Sequence, residues 1–150
     1  MDALYDQTLV PRIIFSFIGF AIAVGPMFAD FNKTHATNPA WTPHARFHVV
    51  WQVLSQAGVS MTILYLLWAP SPDYVTHIWL AALLNYVWMV SFFATLSTMS
   101  LFDGALKDVN GIKPFRFNIF GKVYLVDTNL FGATLFVLLN STGVWLLATT

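Results

Sequence analysis

Four long apolar stretches alternate with short polar ones along the chain. A helix needs about 20 mostly apolar residues to cross a ~30 Å hydrocarbon core, and each stretch meets that length. The pattern predicts helices over approximately 9–29, 43–69, 77–102 and 130–148. The second has the cleanest apolar run, Val49 to Ala69, which carries no charged side chain and stops at Pro70-Ser71-Pro72-Asp73, where proline can neither donate to nor continue the ladder. Backbone polar groups in lipid must be satisfied within the segment, so each stretch reads as a helix rather than an open strand. The fold class expected is all-α: a four-transmembrane-helix bundle in one membrane domain over 1–150. A cleaved leader is the competing reading of the first stretch, from Ala21-x-Ala23, but Asp2 and Asp6 stand where a signal peptide needs positive charge.

The first helix carries Arg12 as its lone charge, small residues in Gly19-x-x-x-Ala23 and Ala21-x-x-x-Gly25, and Pro26 near its end. The small residues let a neighbouring helix approach closely, and the proline predicts a kink. The connection over 103–129 is much longer than ordinary helix connections. Asp103-Gly104 and Asn110-Gly111 are turn signals, and 113–122 interleaves aromatic with basic residues. That mixture predicts a long loop lying at the headgroup level, with a gating lid as the alternative.

Composition sharpens the picture. Of 150 residues 57% are hydrophobic and 9% charged, against roughly 25% charged in soluble domains, so the lipid bilayer is the first expected partner. Seven Lys and Arg balance seven acids, leaving no basic excess with which to displace counterions from phosphates; nucleic acid is not an expected partner. Lys33, Arg46, Lys107, Lys113, Arg116 and Lys122 fall in the two loops on one side, while Arg12 falls on the other. The positive-inside bias therefore places the basic loops in the cytoplasm and both termini on the opposite side.

The chain has neither Cys nor Glu, which removes thiolate zinc and iron–sulfur sites as well as Glu-based di-iron sites. A metal site would have to use His and Asp, and only the first loop concentrates them. Thr42-Pro43 predicts a helix start, which puts His44 and His48 on one face at the spacing by which two imidazoles grip one ion. Gln52 and Gln56 continue that series, and such a polar stripe is expected to face the bundle interior. Asp30 ends the first helix on the same side, and the turns at Asn38-Pro39 and Thr42-Pro43 can fold His35 over the stripe. Asp30, His35, His44 and His48 are thus the expected ligands of a divalent transition metal, with iron, zinc, manganese and copper all compatible. Arg46 would neutralise charge and Gln52 orient substrate. Trp51, Gln56, Asn85 and Asn140 would line a pocket for a lipophilic small molecule. His77 begins the third helix about a bilayer thickness away and cannot join the set, nor share a haem with His48.

Each feature also has a plainer reading. Histidines at a helix start serve hydrogen bonding, Arg46 can pair with Asp30, Trp41 and Trp51 suit the membrane interface, and Asn85 and Asn140 suit interhelical hydrogen bonds. A pigment or haem ligand is a further alternative for the cluster. The run Thr34-His-x-x-Asn-Pro-x-Trp-x-Pro-His-Ala-Arg-Phe-His48 resembles a group of small four-helix integral membrane proteins to which no activity attaches. The resemblance implies that His35, His44 and His48 act as one unit. Two functions of different kinds follow as expectations: a metal-dependent, oxidative membrane enzyme for a lipophilic molecule, or a non-catalytic accessory subunit of a larger membrane complex, for which the 17% aromatic content argues. A transporter ranks below both, because no membrane-embedded charge or broken-helix pair marks an ion path.

Overall fold

A computed structural model describes residues 7–107 and 111–150; Asp2, Asp6 and Asn110 lie outside the described residues. The chain folds as four long helices: α1 (Leu9–Asp30), α2 (Pro43–Trp68), α3 (Tyr74–Thr98) and α4 (Thr128–Ala148). All four are long and apolar enough to span a membrane, and the protein is an integral membrane four-helix bundle. Helix α1 packs against each of the other three, while α3 also packs on α2 and α4.

Local chemistry sets the helix ends. Thr42 accepts a hydrogen bond from the Ala45 amide at 3.2 Å, with Pro43 in the first helical position, as its sequence predicts. Asp127 does the same for α4 by accepting from the Asn129 and Leu130 amides, which starts that helix at Thr128 rather than at 130. Helix α3 begins at Tyr74, a turn earlier than its apolar pattern suggests, and ends in a 3-10 turn over Met99–Leu101. The assigned α1 runs through Pro26 to Asp30.

Between α3 and α4 the expected interfacial loop contains a hairpin. Strands β1 (Phe115–Ile119) and β2 (Lys122–Val126) pair antiparallel, with Phe117 opposite Tyr124. The turn holds Phe120 and Gly121 at φ +49° and +77°, the doubly positive pattern of a two-residue hairpin turn. The local signals for it were the alternation of apolar and polar residues over Phe115–Ile119 and the β-prone run Val123–Val126. The hairpin rests on α4 through Phe115 and Phe117, whose rings lie 5.1 and 6.0 Å from that of Phe131.

The apolar core joins Phe15, Ile63, Leu67, Ile78, Ala81, Ala82 and Leu147. Two glycines permit its closest approaches: a Cβ on Gly143 would meet the Phe15 ring at 2.6 Å, and one on Gly19 would meet Ile63 at 3.1 Å. Gly19 thereby serves intramolecular packing, whereas a Cβ on Gly25 would meet nothing within 4 Å.

Asn85, Asn140 and Arg12 are paired across helices. The Asn85 amide donates to the Phe15 carbonyl and to Asn140 Oδ1, both at 3.3 Å, and the Asn140 amide donates to the Ala82 carbonyl at 3.1 Å. Arg12 is 3% exposed. Its Nε donates to the Leu67 carbonyl at 2.8 Å, and its guanidinium lies 4.3 Å from the centre of the Trp68 ring. A cation thus satisfies a terminal carbonyl of α2, where the helix dipole is negative.

Gly143→Val should destabilise the bundle by about 1–3 kcal/mol through overpacking against Phe15, read as lowered resistance to unfolding in detergent. Gly132→Ala, at a helical position with nothing within 4 Å, should not lower that resistance, since alanine favours the helix.

Candidate functional site

The end of α1 and the loop after it build one well-defined polar site. Asn32 folds back to donate to the Phe28 and Ala29 carbonyls at 3.0 and 2.9 Å, and its Oδ1 accepts from the Thr34 amide at 2.7 Å. Asn38, 8% exposed, donates to the Thr34 carbonyl and accepts from the Ala40 amide. The Ala36 amide donates to the Asp30 carbonyl at 2.9 Å. These bonds fold residues 31–41 into a compact turn beneath which Asp30 and His35 meet, Oδ1 to Nδ1, at 3.6 Å.

The hydrogen bonds also fix the tautomer of neutral His35. Both Asn32 amide protons go to carbonyls, so Asn32 Oδ1 is an acceptor, and the Thr34 hydroxyl directs its single proton at that oxygen, 2.6 Å away, in preference to the Ala29 carbonyl at 3.4 Å. Towards His35 Nδ1, 2.6 Å away, that hydroxyl can only accept. Nδ1 therefore carries the hydrogen and Nε2 the lone pair, through which the ring can act as a general base or a metal ligand. The Trp41 ring meets the imidazole edge-on at 5.1 Å.

Asp30, Asn32, Thr34, His35 and Trp41 line a cavity of about 820 Å³. Its other walls come from Gly25 and Phe28 of α1, from residues of the α3–α4 connection including Lys107 and Lys113, and from Asp127 and Asn129. Both basic loops therefore meet at one end of the bundle. Thr128 Oγ1 donates to the Lys113 carbonyl at 2.9 Å, tying the far wall to the start of α4.

The expected four-ligand centre is not assembled. His44 and His48 form a second, separate pair, Nε2 to Nε2 at 3.0 Å, on an exposed face of α2. Among the described residues no group of three or more His, Cys, Asp or Glu comes together to hold a metal. The polar stripe of α2 likewise does not face the interior: His44, His48 and Gln52 are exposed, and the buried row is Val53, Ser60, Ile63 and Leu67. With 3.6 residues per turn, a four-residue series rotates by about 40° at each step. By Gln56 it has swung inward, and that side chain is half-buried with a buried Oε1 that has no hydrogen-bond partner.

Asp30 pairs with His35 rather than with Arg46, which is half-buried in the first turn of α2. The proposed pocket residues are dispersed: Trp51 is exposed, Asn85 and Asn140 bond to each other in the core, and none of these or Gln56 lines the cavity. Sequence reasoning missed Thr34, Asn32, Lys107, Lys113, Asp127 and Asn129 as cavity residues. Asn32 and Thr34 had a local signal in their turn-forming types; the others are brought to the site only by the return of α4.

Residues 14–109, more than half of the chain and including most of α1, the 31–42 loop, α2 and α3, match the family described as "Family of unknown function (DUF6640)", and the chain belongs to that family. Neither the curated proteins nor the solved structures compared with it yielded a match.

Thr34→Val should free Nδ1 of its hydroxyl acceptor. Histidine ¹⁵N shifts recorded in alkaline buffer should report an Nδ1–H tautomer at His35 in the unaltered chain and a tautomer mixture in the variant.

Proposed function

We propose that this member of the family binds a lipophilic molecule by its polar end and catalyses proton transfer there, with His35 Nε2 as the base and Asp30 as the group that stabilises the imidazolium. One observation carries this reading: an Asp–His pair of assigned tautomer lines a cavity that adjoins the end of a membrane-spanning helix. Lys107, Lys113 and Asn129 offer donors to an anionic or carbonyl-bearing head. Phe28, 82% exposed beside the cavity, and the side-chain-free Gly25 favour access from the bilayer. Residues 105–107 and 111–114 then act as a wall over the bound head, and the aromatic hairpin beyond them as the interfacial anchor. The basic loops, and with them the site, face the cytoplasm.

The accessory-subunit reading keeps one specific support. Gln52 is exposed on α2, within the first turn of its apolar run, and an amide turned towards lipid lacks hydrogen-bond partners that another membrane protein would supply.

Mass spectrometry of gently purified protein should find a co-purifying lipophilic compound, depleted in His35→Gln and in Gly25→Leu, the latter filling the cavity wall without touching a polar group. Equal amounts in all three proteins would overturn the reading, and a stoichiometric second polypeptide with no small molecule would establish the subunit. Because the chain has no cysteine, single cysteines at Lys33 and Thr150 can be labelled with an impermeant maleimide in intact cells. Labelling at position 150 alone is expected.

A further inference from the structure

The exposed pair on α2 stands apart from the cavity and has its own geometry. His44 and His48 are four residues apart in the first two turns, and their Nε2 atoms face each other at 3.0 Å with the rings at 89°. Phe47 and Trp51 flank them, with ring centres 5.9 and 5.8 Å from that of His48.

Two imidazole nitrogens bound to one metal at about 2.0–2.1 Å each, and separated by 3.0 Å, subtend roughly 90–100° at the ion. A tetrahedral ion would hold them about 3.3–3.4 Å apart by the same triangle. The 3.0 Å separation is that of an N–H···N hydrogen bond within the pair and lies within about 0.4 Å of either arrangement, so the choice of ion rests on affinity, which for nitrogen ligands among the first-row divalent metals peaks at Cu²⁺, just above Ni²⁺. Both side chains are exposed and start the helix at the cavity end of the bundle, so an aqueous ion can reach them.

We propose that His44 and His48 form a two-nitrogen chelate for Cu²⁺ at the membrane surface, with the remaining equatorial positions open to water or to a small anionic ligand. This site shares no residue with the Asp30–His35 cavity. It differs from a four-ligand centre in needing neither Asp30 nor His35. It differs from a plain Nε2–H to Nε2 hydrogen bond in taking up an ion.

The test is a Cu²⁺ titration of the full chain in detergent micelles, purified through a tag that contains no histidine and followed by electron paramagnetic resonance. One equivalent should bind with a tetragonal signal split by two equivalent nitrogens. His44→Ala and His48→Ala should each weaken binding by at least about tenfold, since each removes half of a chelate. Asp30→Asn and His35→Gln should bind as the unaltered chain does. Both pairs of substitutions fall on side chains outside the apolar core, and the unfolding transition without metal verifies that each variant is folded. Undiminished binding in the His44→Ala/His48→Ala double variant would overturn the proposal. So would an equal loss in Asp30→Asn, which would restore the four-ligand centre, or tighter binding of Zn²⁺ than of Cu²⁺.

Discussion

The bundle depends on how polar groups inside an apolar solvent find partners. In lipid there is no water to satisfy an amide or guanidinium, so each has to be met by another helix. Asn85 and Asn140 meet each other and two backbone carbonyls, linking α1, α3 and α4. Arg12 does the corresponding work between α1 and the end of α2. Each membrane hydrogen bond contributes only about 0.6–2 kcal/mol. Their larger effect is on specificity, since a slipped or rotated helix would strand these groups without partners. Gly19 and Gly143 complete the constraint by letting α1 close on Ile63 and letting Phe15 close on α4.

The site at the cavity end follows from that arrangement. Helix α1 touches all three other helices, so the position of its last residue, Asp30, is set by the whole bundle. The 31–42 turn is then folded by short asparagine side chains that imitate backbone hydrogen bonds. It delivers His35 back to Asp30 and orients its proton through Thr34 and Asn32. The packing of α4 beside α1 brings Asp127 and Asn129 to the opposite wall. The cavity at this end is therefore a property of two loops held together by one bundle.

The two histidine pairs show how a single helical period can separate residues that lie close in sequence. His35 sits in the turn before α2 and folds towards α1, whereas His44 and His48 project from α2 on its exposed side. A four-residue spacing says that two side chains share a face; it does not say which face meets the bundle. The buried row of α2 is chosen by Val53, Ser60, Ile63 and Leu67, all deeper in the helix than the histidines, and the rest of the helix must follow that choice.

The amino-acid sequence alone determined the four spanning helices, the Thr42-Pro43 helix start, the gathering of both basic loops on one side and the pairing chemistry available to Asn85 and Asn140. These follow from hydrophobic length, local capping and the cost of unpaired polar groups, all of which act within a segment or between any two of them. The hairpin over 115–126 was not read from the sequence, which predicts only a long interfacial loop there, because the alternation is confined to Phe115–Ile119 and is weaker than the helical signal around it. Which histidine meets which partner, and which residues close the cavity, were decided only by tertiary structure. The reason is geometric: those contacts depend on the rotation of each helix about its axis, and rotation is set by how all four helices bury their side chains together.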